Sequence, residues 1–480
     1  MLGLTPAEVV AATLNLDRAT VATMRKDNLA PHAWDTSARL IDNRACRRWI
    51  LCPRDSIRGK GGAVRRRDIG SVGELAGEAA GVITTLVRDT HAGIAGRVFG
   101  AVGPVSKPVE VIHDALAGAI YAGVDRGIRG GTRAGGVLAS RVWGRDDDGA
   151  LESQARIADA IAAINGLYGD QLAERGNGLA LTMQIRQRGK PVALTAESLA
   201  DAFPAATGRL AVFVHGLSLS ERSWWRRPRT GDDHRSYGQR LQDDLGFTPV
   251  YLRYNSGLHI SHNGQALADM LHQLRALWPT PVDEVVLVGH SMGGLVARSA
   301  CHYGEQQQHR WVHELRHVIC LGSPHLGADL EKGVHIASWA LARLPETRGI
   351  AGFLDARSAG IKDLRFGSCI DEDWSECDPG EFMRDRCREV PFLPGVGYHF
   401  VATTAAPRVV GLLVGDHLVR PHSASGRGRS RRIPFQPEHG LMLSGLHHFD
   451  LLNHPLVYPK LHEWVIQAPV TPSERAGTGG

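Results

Sequence analysis

Nowhere does the chain hold a clean apolar run long enough to cross a bilayer. Its most apolar long window, Ala79 to Val105, is broken by Arg88, Asp89, His91 and Arg97, short of the roughly 20 apolar residues a span requires. The first residues, Met1-Leu-Gly-Leu-Thr-Pro-Ala-Glu, lack a basic stretch ahead of an apolar core, so no signal peptide is expected. Cysteine is sparse and irregular: seven in 480 residues make no disulfide framework in a chain of this length. Cys369, Cys377 and Cys387 share one segment, open either to a single disulfide or to free thiols, and the short paired spacing of a zinc site is missing. No metal or cofactor is expected. Charge of one sign is not in excess either. The balance of 55 basic and 50 acidic residues leaves +5, a weak bias toward anionic surfaces that gives no reason to expect nucleic acid as a partner. Together these absences predict a cytoplasmic protein, in solution or peripheral to a membrane.

What the chain does have is a strand that breaks at a serine. Val285 to Arg298 reads Val-Val-Leu-Val-Gly-His-Ser-Met-Gly-Gly-Leu-Val-Ala-Arg, an apolar run interrupted by Gly289-His290-Ser291-Met292-Gly293 and resumed at helical spacing. A serine is forced into a tight strand-to-helix turn only where its neighbours carry almost no side chain, and Gly289 and Gly293 meet that demand. The turn exposes the Ser291 hydroxyl and sets the Met292 N–H, at the helix start, where an oxyanion would form. Upstream, Arg209 to Val214 is a buried-strand pattern ending in His215-Gly216-Leu217. The loop after such a strand supplies the second N–H, here from Leu217. Downstream, in the order this nucleophile requires, come an acid and a base. Tyr398 to Thr404 reads as a core strand, followed by Gly415-Asp416-His417-Leu418-Val419, and then Gly445-Leu446-His447-His448-Phe449-Asp450 opens a short helix. The predicted triad is Ser291, Asp416 and His448, with His447 the alternative base and Asp363 the rival acid. Asp363 precedes the 398–404 strand instead of following it. The chemistry is acyl transfer in two steps: His448 takes the Ser291 proton, an acyl-enzyme forms, and water releases it.

Val-Phe-Val-His-Gly-Leu, Gly-His-Ser-Met-Gly-Gly-Leu-Val-Ala-Arg, Leu321-Gly-Ser-Pro-His325-Leu-Gly-Ala328, Gly415-Asp416-x-Leu-Val and His448-Phe-Asp-Leu-Leu-Asn453-His-Pro455 resemble the α/β-hydrolase lipases and esterases, the branch that includes bacterial triacylglycerol lipases and GPI-inositol-deacylase-like proteins. The resemblance spans about residues 180 to 468. It implies an α/β-hydrolase fold, a mostly parallel sheet with a cap insertion, and a carboxylester hydrolase acting on lipid or other acyl esters through the same Ser291, Asp416 and His448.

The expected organisation is a mainly helical N-terminal region over 1–178, a catalytic domain over 179–468 with an insertion near 332–397, and a disordered tail over 469–480. In the first region apolar residues recur at helical spacing between Glu74 and Ser140, which suits packing on the core, homodimerisation or docking on lipid. A further helical pattern over Ser153 to Leu172 leads to strands at Leu179–Gln187 and Lys190–Leu194. Trp339, Leu341, Leu344, Ile350 and Phe353 of the insertion form either a mobile lid or a rigid cap. His215, Gly216, Trp224 and His290 are the candidate substrate-contacting residues; His215 reads as loop scaffold instead of a general base. The arginine run Arg427, Arg429, Arg431 and Arg432 is a solvated loop or an anion contact. Asp450 is a hydrogen-bonding cap or a calcium ligand. Two other readings stay open: an acyltransferase using the same triad, and a catalytically silent lipid-docking scaffold.

Overall fold

The computed structural model describes residues 155–228, 231, 233–328, 357–375, 385, 387–404, 418–428 and 431–467, with Arg88, Lys107, Asp114 and Gly118 as isolated helical positions. The expected helices before residue 155, the apolar residues 339–353 of the insertion, Asp416, Cys377 and the 469–480 tail lie outside the described residues.

Eight strands form one sheet: β1 (Gln184–Gln187), β2 (Lys190–Val192), β3 (Arg209–Val214), β4 (Thr248–Arg253), β5 (Glu284–His290), β6 (Leu315–Leu321), β7 (Gly397–Thr404) and β8 (Gly440–Ser444). Their order is β2-β1-β4-β3-β5-β6-β7-β8, antiparallel at β2, β1 and β4 and parallel from β4 through β8. The reason is in the composition of the centre. β3, β5 and β6 are almost continuously apolar and buried along their length, as strands covered on both faces must be. Leu210, Val212 and Val214 face a layer that includes Leu267, Leu271, Leu295 and Val296; Ala211 and Phe213 face Leu241, Leu461 and Trp464.

The larger helices are α1 (Ala155–Glu174), α2 (Ala196–Ala202), α3 (Tyr237–Leu245), α4 (Ile260–Leu277), α5 (Met292–Gln306) and α6 (Tyr458–Ile466). Local signals start and stop them. Ser236 and Gln239 close a capping box on α3, which ends at Gly246 in the left-handed conformation (φ 71°). No described helix is long and apolar enough to cross a membrane. From β3 the chain moves outward to β4 and then returns to β5 on the other side of β3. In open α/β sheets such a reversal, here at the carboxyl ends of β3 and β5, is where ligands are held.

The strand expected over Leu179–Gln187 is shorter than its pattern. Asn165 of α1 takes Leu181 N–H on its Oδ1 at 2.9 Å and gives its Nδ2 to the Leu179 carbonyl at 2.8 Å, so the segment docks on a side chain before pairing begins at Gln184. The described parts of the insertion are anchored to the helices: Ser299 Oγ donates to the Cys369 carbonyl at 2.6 Å, and Trp374 stacks on His259 with centroids 3.6 Å apart. Cys369 and Cys387 are free thiols. Arg431 is not simply solvated; it donates to the Phe366 and His325 carbonyls and pins the insertion to the loop after β6.

Candidate active site

β5 ends at His290, and the chain enters α5 through Ser291 at φ 54°, ψ −123°, a region that non-glycine residues occupy only under constraint. The constraint is steric. A β-carbon on Gly289 would lie 2.5 Å from the Gly293 carbonyl, and one on Gly293 only 2.2 Å from the Val214 carbonyl. Both neighbours must therefore be glycine for the helix to start this close to β3. Ser291 N–H donates to the Leu321 carbonyl at 2.8 Å, which ties the turn to the end of β6. Ser291 is partly exposed while His290 and Met292 on either side are buried.

The loop after β3 lies directly on this turn, since a β-carbon on Gly216 would stand 3.0 Å from Ser291 Cβ. Residues 216–219 make a turn closed by Leu219 N–H on the Gly216 carbonyl at 3.3 Å, with Ser218 left-handed at φ 58°. Among the described residues, neither the Leu217 N–H nor the Met292 N–H has a hydrogen-bond partner. Two main-chain donors, one in the loop on this turn and one directly after Ser291, thus have no partner among the described residues.

His448 opens a 3-10 turn (His448–Leu452) and is buried. Its ring lies against Gly322, the residue after Leu321: a β-carbon there would be 3.1 Å from His448 Cε1. Its centroid is 4.8 Å from that of His290, whose Nε2 donates to the His448 carbonyl at 3.2 Å. His447 is exposed at the cap position, and its N–H donates to Asp450 Oδ2 at 3.0 Å. Ser291, Gly322 and His448 therefore share one corner of the sheet's carboxyl edge. Asp450 serves as the cap of this turn.

Asp416 falls in the stretch between Thr404 and Leu418 that lies outside the described residues. The rival acid, Asp363, has other work. Its Oδ2 accepts Ile260 N–H at 2.8 Å and its carboxylate meets His259 Nδ1 at 3.1 Å, which caps α4 from the insertion.

The remaining candidates wall the corner. His215 is fully buried beneath the loop; its Nδ1 donates to the Gly216 carbonyl at 2.8 Å, its Nε2 accepts Tyr254 N–H at 3.3 Å, and its ring stacks on Tyr254 at 4.3 Å. Burial lowers its pKa to about 4, so it stays neutral. His290 is held well below the usual histidine range by burial and by neighbouring His448. Trp224 is buried edge-on to Phe213 at 5.1 Å and to His290 at 6.4 Å.

One group was not visible in the sequence. Glu221 is fully buried and takes both Nε and Nη2 of Arg253 at 2.6 Å, with Arg186 Nε at 3.8 Å. This ion cluster locks the short helix Glu221–Trp225 onto β4 and β1. Arg186 and Arg253 lie in strands far along the chain, so no local pattern marks the pairing. Beside the His448 turn, Arg226, Arg227, Phe449 and Asn453 line a shallow cleft, and the Arg226 guanidinium sits 5.8 Å from the Phe449 ring centre.

Residues 205–341 match the model of the PGAP1-like alpha/beta domain family. No curated protein sequence matches the chain. Among solved structures, the mature lipase BlEst2 of Bacillus licheniformis is 19% identical over 54% of this chain and 92% of its own, with a TM-score of 0.35. Staphylococcus hyicus lipase is 15% identical over 57% of this chain and 98% of its own, TM-score 0.30. Esterase B from Lactobacillus rhamnosis is 13% identical over 54% and 75%, TM-score 0.29. From its own strand order, its serine turn and the family match at its centre, the chain carries an α/β-hydrolase fold, with residues 205–341 similar to the PGAP1-like alpha/beta domain.

Proposed function

We propose that the protein is a serine hydrolase of carboxylic esters, lipid or acyl esters being its substrate class, working through Ser291, His448 and Asp416 and an acyl-enzyme. The observation that carries this reading is the strained, partly exposed Ser291 with two unpartnered main-chain amides beside it and a buried histidine at the same corner. A scaffold has no use for such strain.

His448, oriented by Asp416, accepts the Ser291 hydroxyl proton as the oxygen adds to the ester carbonyl. The carbonyl oxygen becomes an oxyanion, and the N–H groups of Leu217 and Met292 donate to it, each contributing on the order of 3 kcal/mol to the barrier. The imidazolium returns the proton to the departing alcohol as the carbon–oxygen bond breaks. Water then repeats the sequence on the acyl-enzyme and frees the acid.

The test is labelling with a fluorophosphonate together with hydrolysis of p-nitrophenyl esters from acetyl to palmitoyl. The wild type should be labelled at Ser291 and turn over at least one ester; Ser291→Ala should lose the label and about 10⁵-fold or more in kcat. An unlabelled wild type that cleaves no ester in the series ends the proposal.

A further inference from the structure

Helix α1 lies outside the segment that the family model matches, yet it is fastened to the loop beside Ser291. Its backbone leaves helical geometry at Tyr168 (φ −138°, ψ 17°), between Gly166 and Gly169. At these glycines the helix runs against two loops from the carboxyl edge of the sheet. A β-carbon on Gly166 would lie 2.0 Å from Ser218 Oγ and 2.8 Å from Ser218 Cα, and one on Gly169 would lie 1.8 Å from Asn255 Oδ1. Hydrogen bonds secure the contact: Ser220 Oγ donates to Asp159 Oδ1 at 2.9 Å, and Asn255 Nδ2 to the Gly169 carbonyl at 2.8 Å.

Ser218 is the second central residue of the 216–219 turn, and Leu217 is the first. A left-handed serine there is strained and persists because its surroundings fix it. Two contacts do so: Gly166 backs the residue, and Ser256 Oγ receives its N–H at 3.0 Å. Relaxing Ser218 toward an ordinary conformation flips the Leu217–Ser218 peptide and breaks its bond to Ser256, and the turn that carries Leu217 loses its seat between Gly166 and Ser291.

We propose that α1 is a positioning element of the active site, in which Gly166, together with Ser256, holds Ser218 left-handed and so fixes the 216–219 turn that keeps the Leu217 N–H beside the oxyanion formed on Ser291. The inference rests on the hydrolase reading above. It makes Gly166 and Ser256 positioning residues that touch no substrate.

The test uses the full-length chain and four variants: Ser256→Ala, Gly166→Ala, Ser218→Gly, and Gly166→Ala combined with Ser218→Gly. Readouts are kcat and KM on the best p-nitrophenyl ester, affinity for a trifluoromethyl ketone that forms a tetrahedral adduct with Ser291, and the melting temperature. Ser256→Ala and Gly166→Ala should each lose about tenfold in kcat with KM within twofold, and ketone affinity should fall in parallel with kcat/KM. This loss is smaller than the hundredfold or more for deleting a donor. The double variant, which removes the Oγ and Cβ contacts but keeps Ser218 Cα at 2.8 Å and admits the left-handed turn, should recover part of the kcat lost in Gly166→Ala. Wild-type kcat and ketone affinity in Ser256→Ala, whatever its melting temperature, overturn the inference, and this variant keeps the test decisive even where Gly166→Ala does not fold. A wild type without label or turnover removes the hydrolase reading and this inference with it; a labelled, active wild type matched by its variants removes this inference alone.

Discussion

Ser291 carries the sharpest physical signature in the molecule. Held at φ 54°, ψ −123°, it stores strain on the order of 1–3 kcal/mol that a glycine would not. Ser291→Gly should therefore raise the melting temperature by a few degrees while abolishing ester hydrolysis. Differential scanning calorimetry beside an esterase assay checks the pair of effects, and an unchanged or lowered melting temperature contradicts the strain. The two aspartates offer a second residue-scale test. Asp363 caps α4 and binds His259, so Asp363→Asn should cost stability of about 1 kcal/mol with kcat within a fewfold of wild type. Asp416→Asn, if Asp416 orients His448, should fold normally and lose about 10⁴-fold in kcat. The reverse pattern would make Asp363 the triad acid.

Among the elements, the short helix 221–225 depends on charges it does not contain. Glu221 neutralises Arg253 and stands near Arg186, all three with almost no exposure. Removing the carboxylate alone strands buried guanidinium charge, which costs about 3–5 kcal/mol. Glu221→Ala should lower the urea midpoint accordingly, and a midpoint within error of wild type would show that the cluster is not held as a unit. The Ser291 turn is legible at this scale because it is a local steric problem. Gly289 and Gly293 sit two positions either side of Ser291, and the close approach of β3 and α5 follows from that spacing alone. The β3 strand and its His215-Gly216 ending are equally local. His448 against His447 is a different matter: adjacent positions differ in which one the 3-10 turn sets against Gly322, and it is His448, beside the buried Leu451, that lies there. The hydrogen bonds that replace strand pairing at Leu179 and Leu181 come from Asn165, 14 and 16 residues away, beyond the reach of any alternation pattern.

For the molecule as a whole, buried imidazoles tie stability to pH. Burial lowers His215 and His317 to about 4 and His399 to about 2, with His317 and His399 also in contact with each other at 3.1 Å and facing His439 and Lys460. Each is neutral in the folded chain and takes up a proton near pH 6.5 in the unfolded one. Above that pH the three contribute nothing to the pH dependence. As pH falls from 6.5 toward 4 the unfolded state binds protons that the folded state refuses, so stability drops by up to roughly 4 kcal/mol per pH unit for the three together. Urea midpoints should be level from pH 8 to 7 and fall steeply between 6 and 5; a flat profile down to pH 5 sinks the prediction.

The order of apolar strands, the glycine spacing around Ser291 and the order of Ser291, Asp416 and His448 along the chain were set by the amino-acid sequence itself, because each is a matter of short-range sterics or linear order. Tertiary structure alone decided which histidine is buried, that Asp363 caps a helix, that Glu221 meets two arginines, and that α1 backs the loop beside Ser291. These depend on groups brought together from distant positions by packing, and the free energy of such contacts has no counterpart in any local stretch of residues.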